Sequence, residues 1–145
     1  MNDLGRFVLA QAGTYAAALA ELRCGAKRTH WMWFVFPQIA GLGHSPTARH
    51  FAIRDLEQAR AFLAHEVLGA RLRDATGVTA AWAGRRTLRE IFGPVDAVKF
   101  VSSMTLFEAA AGSAGPPDFA TALDALADGV RDRHTLALIS AEEPG

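Results

Sequence analysis

The sequence predicts an all-α fold: a single compact helical domain over residues 1–145, with about six to eight helices and one short strand pair as the permitted exception. Three observations carry this. Apolar residues recur at three-and-four spacing through most of the chain, capping and stopping residues punctuate that pattern, and no repeat of solenoid or propeller period interrupts it. A chain of 145 residues with 50% hydrophobic and 21% charged residues is of ordinary globular composition and long enough to bury one core.

In order along the chain, Leu4, Phe7, Val8, Gln11, Tyr15, Ala18, Leu19 and Leu22 set one stripe on a single expected helix over residues 4–22. Asp3 can cap it and Gly25 sits where it would stop. Gln11 and Tyr15 lie inside the stripe, so their polar atoms require partners. The run Lys27-Arg-Thr-His-Trp-Met-Trp-Phe-Val-Phe-Pro-Gln38 reads as a short helix capped by Thr29 and ended by Pro37, although its strand-forming residues also fit a buried strand. Gly41, Gly43 and Ser45-Pro46 mark a loop with a helix entry at Ser-Pro. Asp55 with Gln58 resembles a capping box opening a helix through Leu56, Ala59, Phe62 and Leu63. Val67 to Trp82 gives another helix ending near Gly84, Thr87 to Phe92 a short one closed by Gly93-Pro94, and Ala97 to Ala111 a long one. Gly112 to Pro117 is a surface connection, Phe119, Leu123 and Leu126 belong to a helix ending at Gly129, residues 135–139 form a short apolar closing segment, and residues 140–145 are expected to fray.

Charge bounds the partners. Fifteen basic residues, only two of them lysines (Lys27 and Lys99), balance fifteen acidic ones. A neutral total gives no long-range pull toward DNA or an anionic membrane, so no nucleic-acid or membrane partner is expected. The lone Cys24 excludes an intrachain disulfide, and the start of the chain has no signal-peptide pattern, so the expected location is cytoplasmic. His30, His44, His50, His65 and His134 show no metal-ligand spacing, and no P-loop, dinucleotide fingerprint or nucleophile elbow occurs; neither metal nor cofactor is expected.

Two segments concentrate polar and aromatic chemistry. In the first, Trp31 and Trp33 beside Lys27, Arg28 and His30, with Gln38 closing the run, suit stacking on a base and a cation on its phosphate. The plainer reading is that Trp31, Trp33, Phe34 and Phe36 fill the core while Lys27 and Arg28 lie in water. In the second, Asp96, Lys99, Ser102 and Ser103 fall at helical spacings able to line one face, with ammonium and hydroxyl groups for an anion and Glu108 further along. There, too, a solvated helix face is the alternative.

With these residues in view, the chain resembles the bacterial family called domain of unknown function 1810, some members of which carry the label calpastatin. The resemblance rests on Asp3-Leu-Gly-Arg-Phe-Val, Lys27 to Gln38, Gly41-Leu-Gly-His-Ser-Pro, Phe51-Ala-Ile, His65 to Leu72, Ile91-Phe-Gly and Asp96 to Phe107, spanning nearly the whole chain. It implies no particular activity, and a calpastatin-type inhibitor would be a long disordered repeat chain unlike this one. A looser likeness, on the Lys99-Phe100 step and on size and helicity, is to the NADAR superfamily and implies ADP-ribose or N-glycosidic chemistry. The Gln-Asn that follows in that superfamily and its C-terminal Trp-Gly-x-Gly element are both missing.

The function expected is therefore binding or hydrolysis of a nucleotide or ADP-ribose-type ligand. Lys27, Arg28, Trp31, Trp33, Gln38, Lys99, Ser102 and Ser103 would contact it, and Glu108, Glu90 or His30 would act as acid or base if the chain is an N-glycosidic or ADP-ribosyl hydrolase. The alternatives are a non-catalytic ligand-sensing module and a protein-interaction domain presenting the aromatic run.

Overall fold

A computed structural model describes residues 3–142, and among them ten helices are present and no sheet. They are α1 (Gly5–Ala12), α2 (Tyr15–Arg23), α3 (Met32–Val35), α4 (Pro46–His50), α5 (Leu56–Ala64), α6 (Leu68–Ala80), α7 (Leu88–Phe92), α8 (Pro94–Ala111), α9 (Asp118–Leu126) and α10 (Arg133–Glu142). The longest, α8, is the hub: α5, α7, α9 and α10 all pack on it, while α6 joins α2, α5 and α9. Its central residues explain this, because Phe100 and the run from Ser102 to Phe107 are all buried. A helix buried around most of its circumference belongs at the centre of a bundle.

The single helix expected over residues 4–22 is two. Gly13 and Thr14 interrupt it, both poor helix formers, one by backbone entropy and the other by β-branching. The stripe itself holds across the break: Phe7, Gln11, Ala18 and Leu22 are buried. Gln11 Nε2 donates to the Phe34 carbonyl at 2.7 Å and the Tyr15 hydroxyl donates to the Arg71 carbonyl at 2.8 Å, so both polar groups in the stripe find partners. Asp3 accepts from the Gly5 N–H as the chain enters α1.

Gly25 closes α2 in a Schellman arrangement, with the Gly25 N–H on the Leu22 carbonyl and the Ala26 N–H on that of Glu21. Its φ of 68° and the Trp82 ring, 2.9 Å from where a Cβ would stand, both demand glycine there. Ser45 caps α4 by accepting from Ala48, as its Ser-Pro entry predicts. The Asp55–Gln58 pair is half a capping box: Asp55 accepts from the Gln58 N–H, but the Gln58 side chain turns to the Arg54 N–H and Arg6. The full box stands at α7, where Thr87 and Glu90 cap each other reciprocally.

Three other expectations change. The aromatic run is helical at α3, not a strand, yet Thr29 does not cap it; Trp31 is its N-cap without a side-chain bond. The strand pair reduces to one parallel bridge between Ile39 and Ile53. Residues 135–139 belong to α10, which continues through residue 142, and the rest of the expected frayed tail lies outside the described residues. With the split of the first helix, this raises the helix number above the six to eight expected. No described helix is long and apolar enough to cross a membrane.

The α5–α6 corner depends on a backbone approach that only glycine permits. A Cβ at Gly69 would lie 2.1 Å from the Leu63 carbonyl oxygen and 2.9 Å from its carbon, neither of which can swing aside. Gly69→Ala is expected to destabilise by about 3 kcal/mol or more, against the gain of about 1 kcal/mol from helix propensity alone. A denaturant midpoint equal to wild type would show that the corner can open freely.

Candidate functional site

The two polar segments meet. The link between them begins with Glu21 on α2, a residue that local sequence patterns do not single out. Its carboxylate accepts from the backbone N–H of Arg28 (2.6 Å) and of Thr29 (2.9 Å), from the Thr29 hydroxyl (2.6 Å) and from the Trp31 indole N–H (3.0 Å). Burial would raise its pKa, but these donors, led by the Thr29 hydroxyl, outweigh it and hold the carboxyl at about 2, below its ordinary 4.5. The Lys27–Trp31 loop is thus pinned to the end of α2. The Lys27 N–H, donated to the Ile91 carbonyl at 2.7 Å, ties the same loop to α7.

Held this way, Lys27 reaches α8. Its ammonium lies 2.9 Å from one oxygen of Asp96, and Lys99 lies 3.5 Å from the other. The only two lysines of the chain therefore share a single carboxylate. The Lys27 side chain is only 8% exposed and passes over the Trp31 ring at 5.1 Å, whereas the Lys99 ammonium sits 4.4 Å above the Trp33 ring. Asp96 lies in the first turn of α8, where the helix dipole favours a negative charge. Counted by formal charge, the three groups leave one positive charge unbalanced beside a half-buried indole.

The other expected site residues divide. Trp31 is fully buried, its indole N–H held by Glu21 and its ring against Phe36 and Phe92, so it belongs to the core. Arg28 and His30 are exposed on the pinned loop. Gln38 borders a small enclosed space together with Trp33, Gly41 and Phe51, and its carbonyl accepts from Ile53. Ser102 turns away from the lysines: its hydroxyl donates to Asp132 at 2.8 Å. Ser103 is buried in the core, with no hydrogen-bond partner for its hydroxyl. The helix face expected from Asp96, Lys99, Ser102 and Ser103 thus holds only for its first two members.

The carboxylates expected as acid or base are committed elsewhere. Glu90 caps α7, and accepting the Thr87 N–H keeps its pKa low. Glu108 grips Arg131 through both oxygens, at 2.9 and 2.6 Å, which raises the Arg131 pKa further. Asp96 and Glu108 are about 18 Å apart along α8, at about 1.5 Å of rise per residue. Among the described residues no three His, Cys, Asp or Glu side chains come together as a metal site.

A different feature, unmarked in the sequence, is a cleft of about 720 Å³ between α7, α8 and the segment joining α9 to α10. One wall is held by Arg131, between Glu108 and Asp124, and by Asp132, which accepts from Ser102 and Thr135. Burial would raise the Asp132 pKa, but these donors, led by the Thr135 hydroxyl, lower it.

Against known proteins, the chain is similar in structure to the conserved hypothetical protein Rv1873 from Mycobacterium tuberculosis, with a TM-score of 0.91, 48% sequence identity, and 96% of this chain and 97% of that one covered. No curated protein matches it. The family model described as "Protein of unknown function (DUF1810)" matches residues 1–139, so the chain belongs to that family, as the Lys27–Gln38 and Asp96–Phe107 stretches imply.

Proposed function

We propose that the chain is a non-catalytic binding module for a small anion of phosphate or nucleotide type, taken where Lys27, Lys99 and Trp33 converge. One observation carries the reading: both lysines lie on one aspartate, so a positive charge remains over at a site that includes the Trp33 indole. A largely buried ammonium acts at lower effective dielectric than a surface one, so its field on a bound anion is stronger. Lys99 is the more exposed arm and the one expected to touch the ligand, with Arg28 and His30 on the neighbouring loop.

Binding is favoured over turnover because the carboxylates suited to acid or base work are held away, Glu90 in its cap and Glu108 on Arg131. Asp96 is likewise engaged, by the ammonium groups of both Lys27 and Lys99.

Titration of the full chain with phosphate, AMP, ADP-ribose and NAD tests this by calorimetry at two salt concentrations, with Trp fluorescence in parallel. One of the four is expected to bind, to weaken with salt, and to lose about tenfold or more in affinity in Lys99→Ala, equivalent to about 1.4 kcal/mol. Binding that is indifferent to Lys99→Ala would sink the site assignment, and no binding by any of them would sink the anion reading. Ligand breakdown over hours, slowed in Glu108→Gln, would replace the module with a hydrolase.

A further inference from the structure

The cleft between α7, α8 and the α9–α10 connection stands apart from the lysine cluster and carries chemistry of another kind. Leu88, Val98, Val101, Leu126 and Val130 make it apolar. Two of these, Val98 and Val130, are 64% and 61% exposed, an uncommon concentration of open β-branched surface in one concavity. Its volume of about 720 Å³ falls within the range of pockets that take small organic ligands.

The charges around it are not equivalent. Arg131 is engaged by Glu108 and Asp124, and Asp132 is turned inward onto Ser102 and Thr135. Arg89 and Arg133, both exposed at the rim, have no ion pair or side-chain hydrogen bond among the described residues. Asp128 also lines the cleft, so the lining charges outside those two networks sum to one positive, with His134 beside them. The wall carrying Arg133 is braced by the two hydrogen-bonded networks around Arg131 and Asp132, and a braced wall loses little freedom when a ligand settles on it.

We infer that this cleft is a second binding site, for a small amphiphilic monoanion: an aliphatic or aryl carboxylate whose apolar body covers Val98 and Val130 and whose carboxylate meets Arg89 and Arg133. An apolar floor with an unpaired guanidinium rim complements that class. A purely polar anion leaves the valines in water, and an uncharged hydrocarbon leaves the arginines unused.

The test titrates the full chain with octanoate, with octanamide as its uncharged counterpart and acetate as the headgroup alone, read by calorimetry and by backbone amide shifts in NMR spectra. Octanoate is expected to bind and to move the amides of Val98, Ala127 and Val130, with octanamide about tenfold weaker and acetate inert. Val98→Asp, at a position too exposed to threaten the fold, should abolish binding. The double variant Arg89→Ala/Arg133→Ala should weaken octanoate about tenfold and leave octanamide unchanged. Lys99→Ala should leave octanoate binding intact, so failure of the lysine site and failure of this one are separable.

Equal affinity for octanoate and octanamide, shifts scattered outside the cleft, or no binding of octanoate would overturn the proposal. So would a dimer that Val98→Asp dissociates in a chain that binds no carboxylate, since that result assigns the face to a second copy.

Discussion

Glu21→Ala is expected to lower the free energy of unfolding by about 2–4 kcal/mol, because it strips the acceptor from four donors at once. The Trp31 indole N–H is the most damaging of these to leave unpaired, since its ring is fully buried. The same carboxylate makes stability depend on pH, with a definite sign. Its folded pKa is about 2 against 4.5 for the ordinary group, so the contribution is complete above about 4.5 and is lost as pH falls from there toward about 2. Because the group is partly open to solvent, about 2 kcal/mol is the expected size of that loss. Glu21→Gln should flatten the wild-type stability profile across this window while changing it little in shape above pH 5. Urea midpoints at a series of pH values check it, and parallel profiles for the two chains would remove Glu21 from its role as the clamp. Since the clamp sets the Lys27 loop, either variant should also weaken any ligand that depends on Lys27 and Lys99.

Phe36→Ala should cost about 3–5 kcal/mol, the range for emptying a fully enclosed aromatic site. Phe36 has no exposed surface and packs on Phe100 at 5.0 Å, Phe92 at 6.1 Å and Trp31 at 6.2 Å. That cluster locks α3 to α7 and α8, and so sets the spacing between Trp33 and Lys99. A midpoint lower by about 10 °C or more is expected for a domain of this size. Phe36→Leu, which keeps most of the volume, should cost well under half as much. Near-equal losses for the two variants would mean that the aromatic cluster does not hold these elements together.

Much of the fold was legible because helices announce themselves locally. Ser45-Pro46 and Gly25 act within a turn of where they stand, and each does in the structure what its position implies. The break at Gly13–Thr14 was not legible, since two weak helix formers lower propensity without deciding whether packing overrides it. Of the candidate site, the residue types were visible and their company was not. Trp31 and Trp33 stand two positions apart and look alike on paper, yet one is sealed beneath Glu21 and Lys27 while the other lies under Lys99 at the surface. Glu90 and Glu108 read as free carboxylates until Thr87 and Arg131 are placed beside them.

By itself, then, the sequence determined the all-α class, most helix boundaries, the family, and the two segments rich in polar and aromatic groups. These follow from periodicity, caps and residue identity, all of which act over a few positions. Only the tertiary structure decided that Lys27 and Lys99 share Asp96, that Glu21 holds the loop between them, and that an apolar cleft opens beside Arg89 and Arg133. Those features join residues far apart in the chain, and such contacts are set by how helices pack rather than by any local pattern.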